Sequence, residues 1–211
     1  YTPQELAPLN IPYVCCSYDN QYGTLPPDSY ASVSIADEEE ACRAVTELYR
    51  CGHRRIAALV SGTEDRSISQ LRYQGYVRAL AAHDLPLEQE LVIEAGSFDI
   101  RQSYLAMQRR LLTGAQFTAL FAISDNMAIG AMRALREAGR RIPEDCSVIA
   151  IDGLTISDYI NPTLTTLCQP VEHMGRRSVE ILLDMVEHRG GPIRETAHTT
   201  LRTGESVRDI S

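Results

Sequence analysis

Phe121–Gly153, FAISDNMAIGAMRALREAGRRIPEDCSVIAIDG, is the stretch that decides the fold. It holds an apolar strand, an Asp-capped helix, a glycine stop at Gly139, a loop marked by Pro143 and a second apolar strand. Glycine ends a helix because it alone enters the left-handed region freely, and proline cannot continue one. The second strand ends on Asp152, and both strand ends are polar, Ser124-Asp125 and Asp152-Gly153. In an open parallel sheet such carboxyl ends form the binding edge.

The same alternation extends outward. Upstream, IPYVCC at Ile11–Cys16 reads as a buried strand, followed by a loop over 17–29 rich in Asp, Asn, Gly and Pro. Asp37 with Glu40 three residues on is a capping-box pattern. It opens a helix with Ala41, Val45, Leu48 and Tyr49 on its apolar face and Gly52 as its stop. IAALV at Ile56–Val60 is a continuous apolar strand, of the kind covered on both faces in parallel sheets. A polar loop over 61–69 and a helix over 70–83 follow, then a strand over 91–95. Asp99 and Gln102 cap a helix with Tyr104, Met107 and Leu111 as the predicted buried stripe. Strands over 119–123 and 147–151 flank a helix over 126–138. Val171, Met174, Ser178, Ile181, Leu182 and Met185 trace a long amphipathic helix after Pro170, stopped by Gly190-Gly191 and followed by a Thr/Leu-rich strand. Strand-helix alternation of this kind predicts an α/β fold with a doubly wound parallel sheet.

Composition narrows the function classes. Hydrophobic residues make up 44% and charged residues 23% of the 211, which excludes a disordered chain. No apolar run approaches the roughly 20 residues that span a bilayer, and Tyr1–Asn10 is polar and Pro-containing, unlike a signal peptide. A net charge of −8 argues against this chain itself gripping a phosphate backbone. The six cysteines, at 15, 16, 42, 51, 146 and 168, show neither CxxC nor metal-ligand spacing, which fits a reducing cytoplasm and predicts no metal.

Enzyme signatures are missing: there is no GxSxG, no GxxxxGK[ST] and no GxGxxG after a strand. The five histidines are scattered, and His53, between a helix-stopping glycine and a strand, reads as a turn or packing residue. What remains is a polar and aromatic set at successive strand ends. Arg66 and Arg72 follow the strand at 56–60, Phe98 follows that at 91–95, Ser124 and Asp125 follow the third and Asp152 the fourth. A guanidinium and carboxylates give directed hydrogen bonds to hydroxyls or ring nitrogens, and an aromatic face stacks on a sugar ring or base. Each also has a plainer reading: Asp125 as a helix cap, Arg66 as a solvated loop charge and Phe98 as core.

The chain resembles the lactose-repressor/galactose-repressor family of bacterial transcription regulators in its effector-binding core. The resemblance rests on IPYV at 11–14, CGHRRIAALVSG at 51–62, LRYQGYVRAL at 71–80, FAISDNMAIGAMRALREAG at 121–139, RIPEDCSVIAIDG at 141–153, NPTLTTLCQP at 161–170 and LRTGES at 201–206. It implies a two-lobed fold similar to periplasmic sugar-binding proteins, with the effector between the lobes. Arg72 matches the effector-binding arginine of the R-x-x-G-[YFW] motif, and Asp152 the strand-end aspartate that bonds effector hydroxyls or nitrogens. Phe98 falls where relatives place a stacking aromatic, Arg66 where the purine repressor has a second effector arginine, and Gln169 on a glutamine used by the lactose repressor. Ser124 stands where the family usually has Asn, Ala36 and Ser17 where Asp is common, and Gly204 where Arg is common.

The resemblance further implies a division into a partial N-terminal lobe, 1–53 with 165–189, and a C-terminal lobe, 54–164 with 190–211. The family's DNA-binding headpiece and first strand-helix units would precede IPYV and are not in these residues. The expected function is ligand sensing by a regulator, not catalysis: a small polar effector, sugar or purine/nucleoside, controls operator DNA binding through the headpiece. A homodimer, no cofactor, no metal and no membrane contact are expected. The alternative is a periplasmic-type solute-binding protein for sugar uptake.

Overall fold

A computed structural model describes residues 6–17, 29–63 and 68–211. In chain order the elements are β1 (Val14–Cys16), β2 (Ala31–Ile35), α1 (Asp37–Arg50), β3 (Ile56–Val60), α2 (Ile68–Ala82), β4 (Val92–Glu94) and α3 (Ile100–Leu112). Then come β5 (Ala119–Ala122), α4 (Asp125–Glu137), β6 (Ser147–Asp152), β7 (Thr165–Cys168), α5 (Val171–Val186), β8 (Arg194–Ala197) and β9 (Thr200–Arg202).

The chain divides into two compact units. One runs up to Ala36 and again over Gln169–Thr199; the other comprises Asp37–Cys168 and Thr200–Ser211. The first unit holds a parallel sheet in the order β1-β2-β8, with Val14 opposite Ala31 and Ser32 opposite Arg194. Helix α5 lies against β1 and β2 and buries Met174, Ser178 and Ile181. Its Arg177 ties down β8 through Glu195, Nε to Oε1 at 2.8 Å.

The second unit is built on a six-stranded sheet, β4-β3-β5-β6-β7-β9, parallel except where β9 runs antiparallel to β7. Every residue of β3 and β5 is buried, because helices cover both faces and leave no wet side for polar residues. α1 packs on α2, and α3 on α4. The α1–α2 approach is set at Gly75, where a Cβ would lie 2.7 Å from the Cβ of Ala41 and press on the Glu38 carbonyl. The C-terminal tail is stitched in by Ser206, whose hydroxyl donates to the Val148 carbonyl at 2.6 Å and accepts the Thr165 N–H at 2.8 Å.

The expected parallel α/β architecture is present, with differences in detail. Two strands, β2 and β8, were not anticipated; β8 has exposed and half-buried residues and no clean alternation. The unit boundaries also differ from the expected division. α1 belongs with the six-stranded unit because Gly75 lets it dock on α2, β7 belongs there because it pairs with β6, and β8 leaves it because it pairs with β2. The buried stripe of α3 is Ser103, Ala106 and Met107; Tyr104 and Leu111 are only half-buried, so the face is rotated from the predicted one. In α5, Val171 is 65% exposed and the helix stops at Val186, before the glycine pair.

Candidate functional site

The site grows from the carboxyl edge of the six-stranded sheet, where β5 and β6 end beside the start of α2. Arg72 sits in the second turn of α2 and is buried, 3% exposed. Its neighbours in the motif Arg72-Tyr73-Gln74-Gly75-Tyr76 explain how it is held. Tyr76 is wholly buried and donates its hydroxyl to the Ile56 carbonyl at 2.9 Å, fixing α2 to β3. Gly75 admits α1, and α1 brings Asp37.

Arg72 donates from Nε to Asp37 Oδ1 at 2.7 Å and from Nη1 to Asp152 Oδ1 at 3.1 Å. Nη1 also donates to the Ile123 carbonyl at the end of β5. Burial works against the guanidinium charge, but the carboxylates of Asp37 and Asp152 outweigh it and raise its pKa further. The arginine is therefore a fixed cation. Among the described residues no hydrogen bond engages its Nη2, so one edge of the planar fork is left for a ligand oxygen.

Asp152 closes β6 with φ of 142°, a region that side-chain-bearing residues rarely occupy. Gly153 follows with φ of 78°, and a Cβ there would come within 2.6 Å of the backbone and Sγ of Cys168 on β7. Only glycine fits this turn. It swings the Asp152 carboxylate onto Arg72 while leaving that side chain 22% exposed. Strain of this kind persists where surrounding structure enforces it, and it concentrates at binding sites.

Asp125 has a different role from either sequence reading. Ser124, not Asp125, is the N-cap of α4, accepting the Met127 N–H at 3.3 Å. Asp125 is the first helical residue and completely buried. Its Oδ2 accepts the Leu154 N–H and the Ser157 hydroxyl, each at 2.7 Å, and its Oδ1 accepts the Thr166 hydroxyl at 2.6 Å. The carboxylate is committed to the loop after β6 and cannot reach a ligand; it anchors the segment that carries Asp152. Ser124 caps through the lone pairs of its oxygen, which leaves its O–H proton to donate.

Phe98 lies in the loop after β4, 38% exposed, an accessible ring rather than a core one. Gln169 belongs to the other unit, where its Oε1 accepts the Ser17 hydroxyl at 3.2 Å. Arg66 lies outside the described residues. The structure thus groups Arg72, Asp152, Ser124 and Asp125, and it adds Asp37, which the sequence reading took only for a helix start. Ala36 brings no carboxylate to Arg72; Asp37, the next residue, does.

A depression of about 620 Å³ lies elsewhere, along α4 between Ile129, Met132, Arg136 and Ile160. Its polar groups satisfy one another, as in the exposed Arg133–Glu137 pair at 2.9 Å, so it is a surface groove without a ligand's hydrogen-bonding set. Among the described residues no cluster of His, Cys, Asp and Glu could hold a metal ion, and no helix is long and apolar enough to cross a membrane.

These features define a ligand-binding α/β domain, and comparison with known proteins places it. Residues 45–207 match the family described as periplasmic binding protein-like domain. The HTH-type transcriptional regulator CelR of Thermobifida fusca is 34% identical over 205 residues, covering 97% of this chain and 59% of CelR. The HTH-type transcriptional repressor PurR of Vibrio cholerae is 36% identical over 188 residues, covering 88% of this chain and 55% of PurR. A solved complex of CelR with cellobiose superposes with a TM-score of 0.87 at 33% identity, covering 97% of this chain and 61% of that one. The chain belongs to the periplasmic binding protein-like domain family, as the effector-binding domain of LacI-family regulators. It spans under two thirds of the length of these relatives.

Proposed function

We propose that this chain senses a small hydroxyl-bearing effector for a bacterial transcription repressor, with Arg72 and Asp152 as the principal contacts. The carrying observation is the buried Arg72 held by Asp37 and Asp152, with one guanidinium edge unengaged and the Asp152 carboxylate partly exposed. An arginine donor beside a carboxylate acceptor matches a sugar hydroxyl, which both donates and accepts. The cellobiose bound to CelR supports a sugar over a purine or nucleoside. Phe98 supplies the stacking face, Ser124 a hydroxyl donor, and Gln169 and Arg66 further polar contacts.

Effector binding shifts the population between two states of the whole protein by its difference in affinity for them. That shift controls operator DNA binding through a helix-turn-helix headpiece outside these residues, as the names of the relatives suggest. The working protein is a cytoplasmic homodimer, not an enzyme. Its contact surface is the apolar patch of Leu154, Ile156 and Tyr159 (36%, 51% and 80% exposed) together with the α4 groove. The regulators among its relatives favour this reading over a solute-binding protein for uptake.

A thermal-shift screen of neutral sugars, cellobiose included, and purine bases tests the reading. A saturable rise in melting temperature with a sugar, lost in Arg72→Met, supports it. A response only to purines, or one unchanged in Arg72→Met, contradicts it.

A further inference from the structure

Leu154, two residues beyond Asp152, is gripped by side chains from two different elements. Its N–H donates to Asp125 Oδ2 at 2.7 Å, and its carbonyl accepts from Arg202 Nη2 at 3.1 Å and from the Ser157 N–H at 3.1 Å. Arg202 Nη1 also donates to Asp158 Oδ2 at 3.0 Å, so one guanidinium bridges the turn at 154–158. Arg202 stands on β9 opposite Thr166 of β7, whose hydroxyl reaches the same Asp125. Among the described residues its Nε is buried and has no partner. A buried donor without a bond is costly, so the side chain keeps this place through its Nη contacts.

From this we infer that Arg202 is a positioning residue for the effector: by gripping Leu154 from β9 it keeps the Asp152-Gly153 turn in the form that presents the Asp152 carboxylate. This rests on the effector-site reading above and deepens it. The last ladder pair between β6 and β7 is Asp152 with Cys168. Only Gly153 separates that pair from the gripped Leu154, and Asp152 and Gly153 have φ of 142° and 78°. A residue with a side chain leaves such a region when its surroundings allow it. With the strand held on one side and Leu154 on the other, this turn has no such freedom. Loosening the grip on the Leu154 carbonyl lets Asp152 relax towards ordinary extended backbone, and its carboxylate turns away from the ligand. The side chains of Arg202 and Asp158 are 28% and 48% exposed, so their pair matters for the geometry it fixes more than for its charge. Arg202 acts through the turn and not as a ligand contact.

The probe is whichever of cellobiose, glucose, galactose and ribose raises the wild-type melting temperature most, titrated calorimetrically well below the unfolding midpoint of each protein. At such a temperature a residue that only stabilises the fold moves the urea midpoint and leaves the dissociation constant alone. Arg202→Met, which keeps an apolar stem but no donor, is expected to weaken binding roughly threefold to tenfold. Arg202→Lys, with its single donor head, should recover part of the loss. The loss from Arg202→Met should persist in full beside Phe98→Ala and largely vanish beside Asp152→Asn, where the turn has no carboxylate to present. If Arg202→Met does not fold, Asp158→Asn decides in its place, weaker binding supporting the inference and unchanged binding overturning it. Unchanged affinity in a folded Arg202→Met, or a loss as large beside Asp152→Asn as in the wild type, overturns the inference and leaves the effector site standing. No response of the wild type to any of the four sugars takes down the effector-site reading and this inference with it.

Discussion

The carboxylate of Asp125 and the backbone N–H of Leu154 meet at 2.7 Å, joining the first turn of α4 to the loop that leaves β6. The same carboxylate holds Ser157 and Thr166, so one buried side chain fixes three points around the strained Asp152-Gly153 turn. Asp125→Asn keeps the volume but turns an amide donor towards groups that are themselves donating. The expected cost is about 2–4 kcal/mol of unfolding free energy, read from urea denaturation. A loss below about 0.5 kcal/mol would show that the loop is held by other means.

Gly75 governs whether Asp37 reaches Arg72 at all. In Gly75→Ala the new Cβ would sit 2.7 Å from that of Ala41 and against the Glu38 carbonyl, forcing α1 away from α2. Overpacking of this kind costs about 1–3 kcal/mol. Because α1 carries Asp37, ligand affinity should fall together with stability. Undiminished affinity in a destabilised Gly75→Ala would mean that the Asp37–Arg72 contact does not shape the site.

Phe98 separates binding from folding. With the residue 38% exposed, Phe98→Ala should change stability by less than about 1 kcal/mol. Loss of an aromatic face stacked on a sugar ring should weaken binding by about 1 kcal/mol, roughly fivefold. Calorimetric titration beside a melting curve reads both, and equal affinity for wild type and variant would remove Phe98 from the site.

Much of the architecture could be read from local pattern, and the reasons show at particular residues. The run Ile56–Val60 is continuous because both faces of β3 are covered, and Asp99 caps α3 by accepting the Gln102 N–H at 3.0 Å, as its spacing predicts. Arg72 and Asp152 stood out because strand ends and helix starts converge in a parallel sheet. The roles of Asp37 and Asp125 were not legible. Each sits where a helix begins, so capping was the local reading, while its partner lies 35 or 29 positions away along the chain. Only the docking of α1 on α2, and of α4 beside the loop after β6, reveals what those carboxylates hold.

His53 gives the six-stranded unit an acid-sensitive stitch. It is 1% exposed, with Nδ1 3.0 Å from the Thr118 hydroxyl and Nε2 2.9 Å from that of Ser147. Burial lowers its pKa below the ordinary 6.5, with the nearby Arg208 and Arg54 charges adding to the effect while Asp209 and the Arg208 backbone oppose it. As pH falls through 6.5 the unfolded chain takes up the proton first, so stability present above that value is lost progressively towards the folded-state pKa. His53→Gln retains a donor and an acceptor but does not titrate. Urea midpoints at about pH 7.5 and about pH 5.5 should differ less in the variant than in the wild type. Equal differences would exclude His53 as a source of the acid sensitivity.

The central claim is that Asp152, presented by its strained turn onto Arg72, bonds the effector. Titration calorimetry of the strongest neutral sugar from the screen into wild type and Asp152→Asn tests it most directly. Asparagine keeps the shape of the side chain but cannot offer a charged acceptor to a ligand hydroxyl. The account predicts a dissociation constant weakened by roughly tenfold or more, in a protein that still unfolds cooperatively. A folded Asp152→Asn that binds the same sugar with unchanged affinity would contradict it.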